Sequence, residues 1–141
     1  MNDPPSPALP AEPDAFASHP SRVLLTPTTM AALRTLARAW RLTRAEGAAL
    51  ISVSESTWAR FQAGIWHGTL SRDQLLRISA MIDMYRALHL LFSDGMADRW
   101  VRVRNGAPLF AHMTPIGVMA VRGTEGVLEV RRYVDEMRQA R

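Results

Sequence analysis

Apolar residues in this chain recur at three- and four-residue intervals, broken by short polar stretches that carry helix-starting residues. Met30, Leu33, Leu36, Ala37 and Trp40 form one such stripe. Thr26-Pro27 precedes it, a capping hydroxyl followed by proline at the first helical position, where the missing N–H costs nothing. Thr43-Arg44-Ala45-Glu46 is a capping box and predicts a second helix continued by Ala48, Ala49, Leu50 and Ile51. Ser52-Val53-Ser54 interrupts that pattern. Ser54 is placed to cap a third helix running to about Gln62, and Gly64 to end it. A second capping box, Ser71-Arg72-Asp73-Gln74, opens a long helix with Leu75, Ile78, Ile82, Tyr85 and Leu88 on one face. After the break at Ser93-Asp94-Gly95 a short helix is predicted over Met96 to Val103, although Trp100-Val101-Arg102-Val103 reads equally as a strand. Asn105-Gly106 and Pro108 mark a loop. Thr114-Pro115 predicts another short helix through Met119, ended near Gly123. Thr124 then caps a last helix with Val127, Val130 and Val134 on one face. The pattern as a whole predicts an all-α fold.

The opening of the chain departs from this periodicity. Residues 1–22 hold six prolines and few apolar side chains, too little to offset the entropy of ordering them. A flexible Pro-rich tail is therefore expected over 1–25. Residues 26–70 follow as a helix-turn-helix region, 71–92 as a long connecting or dimerisation helix, and 93–141 as a second small helical unit. Hydrophobic residues make up 48% of the 141, enough for a core. The absence of cysteine removes disulfides and thiolate metal sites. No apolar run approaches the roughly 18 residues that would span a bilayer, and the N-terminus lacks the layout of a signal peptide. A soluble, cytoplasmic protein with no membrane partner is expected. All 17 basic residues are arginine and the net charge is +4, a bulk figure that genome composition alone explains. The distribution says more. Residues 26–70 carry Arg34, Arg38, Arg41, Arg44 and Arg60 against only Glu46 and Glu55, whereas residues 1–25 are net acidic. Arginines so placed can neutralise phosphates and release counterions.

A helix-turn-helix needs a small residue where its first helix touches its second, and Ala48 fits. It also needs an apolar residue after the turn and two more on the buried face of the second helix. Val53, Trp58 and Phe61 fit. The turn often holds glycine, and Ser52 is a departure. If this assignment holds, the N-terminal residues of the third predicted helix reach base edges in the major groove. The outward candidates are Ser54, Glu55, Ser56, Thr57 and Arg60. Arg60 can read guanine bidentately, and Ser56 and Thr57 can bond bases or phosphates. Arg44 opens the preceding helix, near where the DNA backbone should pass. One such module binds weakly, so a dimer on a two-fold site is expected. The same residues are equally the ordinary solvated face of a helix.

Catalytic and ligand-binding constellations are missing. His19, His67, His89 and His112 are scattered without metal-ligand spacing and read as surface or packing residues. There is no nucleophile elbow, phosphate-binding loop or dinucleotide fingerprint, so neither enzyme activity, nor a metal, nor a cofactor is expected. Trp58 and Trp100 sit in apolar periodicity and read as core.

Downstream of the helix-turn-helix stand Ser71, the Leu91-Phe92 pair, Trp100, Asn105, Pro115-Ile116, and Gly126 with Val130. With this set, residues 71–134 resemble the C-terminal part of the Xre/MbcA/ParS family of bacterial antitoxins. The resemblance implies an Xre-like helix-turn-helix bundle followed by a small helical toxin-binding module. It also implies a type II antitoxin whose partner is a RES-domain or ParT-like toxin that acts on NAD or transfers ADP-ribose. In that family the antitoxin covers the toxin's NAD cleft and the helix-turn-helix represses the shared operon. A homodimer within a larger toxin–antitoxin complex, bound to operator DNA, is the implied assembly. Candidate toxin contacts are Arg104 and Asn105 in the loop, and Arg131, Arg132, Tyr133, Arg138 and Arg141 on or after the last helix. Arginine forks pair with phosphate and carboxylate oxygens, and Tyr133 can serve as an aromatic anchor. Pairing of Arg131 and Arg132 with Asp135 and Glu136 along the helix surface is the plain alternative. Trp100, Pro115, Ile116, Gly126 and Val130 read as builders of the module. The apolar stretch Ala107–Met113 departs from the shorter, Gly-containing connection of the family, and its character calls for burial or contact. Two other readings stay open: a stand-alone helix-turn-helix regulator whose C-terminal module dimerises or senses, and an inhibition module whose helix-turn-helix has lost DNA.

Overall fold

The computed structural model describes residues 15–140, and within them the regular structure is entirely helical. Six helices are named here: α1 His19–Ala39, α2 Arg44–Ile51, α3 Glu55–Ala63, α4 Arg72–Leu91, α5 Asp94–Trp100 and α6 Pro115–Gln139. The expected tail over residues 1–14 and the candidate Arg141 lie outside the described residues.

The local start signals act largely where the sequence puts them. Thr43 and Glu46 close a reciprocal capping box on α2, and Ser71 and Gln74 do the same on α4. Ser54 caps α3, and Gly64 ends it in the left-handed region at φ 72°. Thr114 caps α6 with Pro115 in its first turn. Two signals act differently. Thr26-Pro27 does not start a helix: α1 begins at His19 behind the cap Ser18, so Pro27 lies in its interior. The upstream turns are ordered because Phe16 is buried in the core and Leu25 packs against it. Thr26 is buried too, its hydroxyl donating to the Arg22 carbonyl and accepting from the Leu70 N–H. Pro27 is exposed, so its ring meets solvent rather than the core. Residues 19–25, expected in the tail, are therefore helical.

The second difference concerns Thr124, whereas the break before it falls where expected. Gly123, at φ 65° and ψ −146°, breaks the helical path inside α6, as its position between two predicted helices requires. Thr124 contributes to tertiary structure here. Its hydroxyl donates to Asp73 and accepts from Arg77 Nε at 2.9 Å, both on α4. The stretch Trp100–Val103 closes α5 and turns, and no strand occurs among the described residues.

α4 is the central element, packed against α1, α2, α5 and α6. Its buried residues are Leu75, Ile78, Ala80, Met81, Met84, Ala87 and Leu88. Ile82 and Tyr85, expected on the buried face, are half-buried. Trp40, Phe61, Leu70 and Phe110 are fully buried in the same core as Val127, Val130 and Val134 of α6. One core thus runs from the N-terminal helices into the C-terminal segment.

Candidate functional site

α2 has only eight residues, too few to persist without tertiary support. Its last carbonyls, which lack intrahelical partners, are taken by α4: Arg77 donates to Leu50 O at 3.2 Å and Gln74 to Ile51 O at 3.5 Å. The three-residue turn to α3 then pivots on Ser52, which adopts φ 61° and ψ 52°. That is the left-handed conformation glycine adopts most readily, so the position keeps the geometry while departing in residue type. The close approach between α2 and α3 is made by Gly47, one position before Ala48, the small residue expected there. A Cβ on Gly47 would lie 2.1 Å from the Trp58 ring. Ala48 is buried beside it, as are Trp58 and Phe61, with Val53 half-buried.

This packing leaves the opposite face of α3 in solvent. Ser54, Glu55, Ser56 and Arg60 are exposed and Thr57 is half-buried. Ser54 Oγ accepts from the Thr57 N–H and donates to Thr57 Oγ1, both at 3.0 Å, while Arg60 Nη2 donates to Thr57 Oγ1 at 3.2 Å. Of the candidate DNA contacts, Ser54, Thr57 and Arg60 are thereby joined in one polar cluster, with Glu55 and Ser56 exposed beside it. Arg44 is exposed at the first turn of α2.

A long-range tie fixes the start of α2. Arg102 donates through Nη1 and Nη2 to the two carboxylate oxygens of Glu46, each at 3.0 Å, and through Nη1 to Trp40 O at 3.1 Å. Burial alone would push the Glu46 carboxyl up, but the bonds from Arg102 and Thr43 hold it below the usual carboxylate range. No sequence signal pointed to Arg102, because its partner lies on a different helix.

The candidate toxin contacts divide. Asn105 organises its own loop: its side-chain oxygen accepts from the Ala107 N–H, and its backbone pairs with Met113 and His112. Tyr133 lies among the rings of Trp100 and Phe110, stacked on the first and edge-on to the second. Its ring helps build the module and offers only part of its surface. Within the apolar loop Phe110 is fully buried and Ala107 and Leu109 pack on the core, whereas Pro108, Ala111, His112 and Met113 are exposed. Arg131 turns toward α4, reaching Asp83 at 3.6 Å, with Asp135 at 3.9 Å along its own helix. Arg104, Arg132 and Arg138 are exposed and form no ion pair among the described residues. Pro115, Ile116, Gly126 and Val130 are buried, and Trp100 is half-buried, as expected of residues that hold the module together.

At the junction of α4 and α5, His89 contacts Asp94 through Nδ1 at 2.9 Å and Asp98 through Nε2 at 2.8 Å. Burial alone would lower its pKa, but the two carboxylates raise it above the ordinary histidine value. No helix among the described residues is long and apolar enough to cross a membrane.

The chain is 30% identical over 115 residues to uncharacterized protein y4oB of Sinorhizobium fredii, an alignment covering 79% of this chain and 85% of that protein. It belongs to the y4oB family. No family model and no solved structure matches the chain. The name of y4oB assigns no activity, so function in this member of the y4oB family is to be read from its own side chains.

Proposed function

We propose that the protein is a cytoplasmic type II antitoxin of the Xre/MbcA/ParS kind, which inhibits a RES-domain or ParT-like toxin and represses its own operon. The observation that carries this reading is the combination of two features in one core. A short helix pair presents the polar residues Ser54, Glu55, Ser56 and Arg60 in solvent, with half-buried Thr57 bonded between Ser54 and Arg60. Behind it stands a C-terminal unit whose resemblance-bearing residues Pro115, Ile116, Gly126 and Val130 are buried builders. In this reading α3 enters the major groove, Arg60 contacts a base edge and Arg44 a phosphate. The exposed Arg104, Arg132 and Arg138 offer guanidinium forks to carboxylate or phosphate oxygens at the toxin interface, and a homodimer presents two copies of each surface.

The test is co-expression with the product of the neighbouring gene, co-purification, and an NAD-depletion assay on the partner once it is freed. A stable complex whose freed partner consumes NAD, or transfers ADP-ribose, supports the proposal. A neighbour that still arrests growth and never associates overturns it. DNA binding to the upstream region that is unaffected by any neighbouring product would leave a stand-alone regulator. Arg60→Ala and Arg44→Ala address the groove assignment: both should weaken binding, Arg60→Ala with a change of sequence preference and Arg44→Ala uniformly.

A further inference from the structure

We infer that the depression between the C-terminal end of α1 and α5 is a binding site for phosphate groups, placed to take the backbone of nucleic acid. Arg41, Arg99 and Arg102 line it together with Asp98 and Gly95, around a cavity of about 510 Å³. These cations come from parts of the chain that the sequence kept in separate functional regions. Arg41 follows α1, and the other two belong to α5 and the turn after it.

The charges in this depression are unequal in their partners. Arg102 is held by Glu46 and the Trp40 carbonyl. Asp98 is held by His89. Arg41 and Arg99 are exposed, and their guanidinium groups have no hydrogen-bond or ion-pair partner among the described residues. Two uncompensated guanidinium groups facing one concavity repel each other, and an anion between them removes that cost. Each guanidinium carries five donors and no acceptor, in a planar fork that matches two phosphate oxygens. The backbone at Arg41 is fixed in the left-handed region at φ 53°, its N–H bonded to the Arg38 carbonyl at 3.2 Å, while the side chain is free to reach a ligand. A Cβ added at Gly95 would meet nothing within 4 Å, so this wall is open to a ligand.

Position selects the source of the phosphate. Arg102 anchors the depression to Glu46 in the first turn of α2, and Arg41 precedes Arg44 by three residues. If α3 lies in a major groove, the start of α2 meets the flanking sugar-phosphate backbone. The depression continues that surface into the C-terminal half. The choice of nucleic acid rests on the DNA-binding part of the proposed function, whereas the phosphate chemistry does not.

The test compares the full chain with Arg41→Gln/Arg99→Gln. Both positions are exposed and unpaired, so the double variant should melt in chloride buffer at the parent temperature or slightly above it, the mutual repulsion being gone. In one arm, inorganic phosphate and pyrophosphate are titrated at constant ionic strength and thermal stability is read. In the other, a fluorescent mixed-sequence duplex is titrated across salt concentrations. The expected result is that phosphate raises the melting temperature of the parent and not of the double variant. The slope of log K against log salt should also fall by about 1.8, two contacts at about 0.9 each. A phosphate response lost in the variant with an unchanged DNA slope upholds the anion site and overturns its assignment to nucleic acid. Parent protein that binds no DNA yet responds to phosphate refutes the DNA half of the proposed function and keeps the site. No difference between parent and variant in either arm overturns the inference.

Discussion

Gly47→Ala opposes two effects of different sign, and the structure says which wins. Gly47 is buried inside α2, its N–H bonded to Thr43 O at 2.9 Å. In a helix interior alanine is favoured over glycine by about 1 kcal/mol, so propensity alone predicts a more stable protein. The added methyl, however, would sit 2.1, 2.2 and 2.5 Å from three atoms of the Trp58 indole. Carbon atoms rest at about 3.5–4.0 Å, so the ring or the helix must recede by more than about an ångström. Trp58 is 3% exposed and has Phe61 beside it, with ring centroids 6.3 Å apart. Relief by swinging a flexible side chain away is therefore closed, and overpacking of this kind costs about 1–3 kcal/mol or somewhat more. The net expectation is a loss of up to about 2 kcal/mol, read as a lower urea midpoint at unchanged m-value. Trp58→Leu in the same background supplies the second side of a double-mutant cycle. The pair should couple by about 1 kcal/mol or more, the Gly47→Ala cost shrinking or vanishing once the indole is gone. A Gly47→Ala variant about 1 kcal/mol more stable than the parent would refute the reasoning, because the helix pair would then not be set by this approach.

Arg77→Met removes the donor that joins Asp73, Thr124 and Leu50 O; its side chain is 12% exposed and Asp73 regains water, so the loss should be about 2–3 kcal/mol by chemical denaturation. Ser52→Gly relieves a left-handed serine, and the smaller side-chain penalty should outweigh the extra freedom of the unfolded chain, raising stability by about 0.5–1 kcal/mol; a loss would show that Ser52 is not strained. His89 has its folded pKa raised, so its contribution is complete below the unfolded value of 6.5 and is lost as pH rises through the folded one. Melting temperature should accordingly fall from mildly acidic to mildly alkaline buffer, and His89→Gln should flatten that part of the profile.

How far the sequence can be read depends on the distance over which each interaction acts. Capping at Thr43, Ser54, Ser71 and Thr114 is settled within three residues, and those helix starts are legible directly. Gly64 and Gly123 announce themselves for the same reason. Thr26-Pro27 carries an equally good local signal, but a second cap at Ser18 competes with it, and the burial of Phe16 decides in favour of the longer helix. The polar face of α3 was legible from helical spacing. Gly47 was not, because only the fold shows which small residue meets the indole. Arg102 and Arg77 were not, because their partners Glu46 and Leu50 lie on another helix. Tyr133 had the composition of an interface anchor, and its neighbours Trp100 and Phe110 show how a long-range contact changes the meaning of a residue.

The bond between Arg102 and Glu46 also bears on how such a chain can evolve. The carboxylate that completes the cap of α2 is gripped from a segment 56 residues downstream, and both ends share one core. A C-terminal half exchanged by recombination for that of a relative would carry its own choice of partner. It would also have to bring an arginine at this place, or the helix pair at the other end would lose its brace. New partner specificity should therefore arise by point substitution on the outer surface more readily than by shuffling of halves.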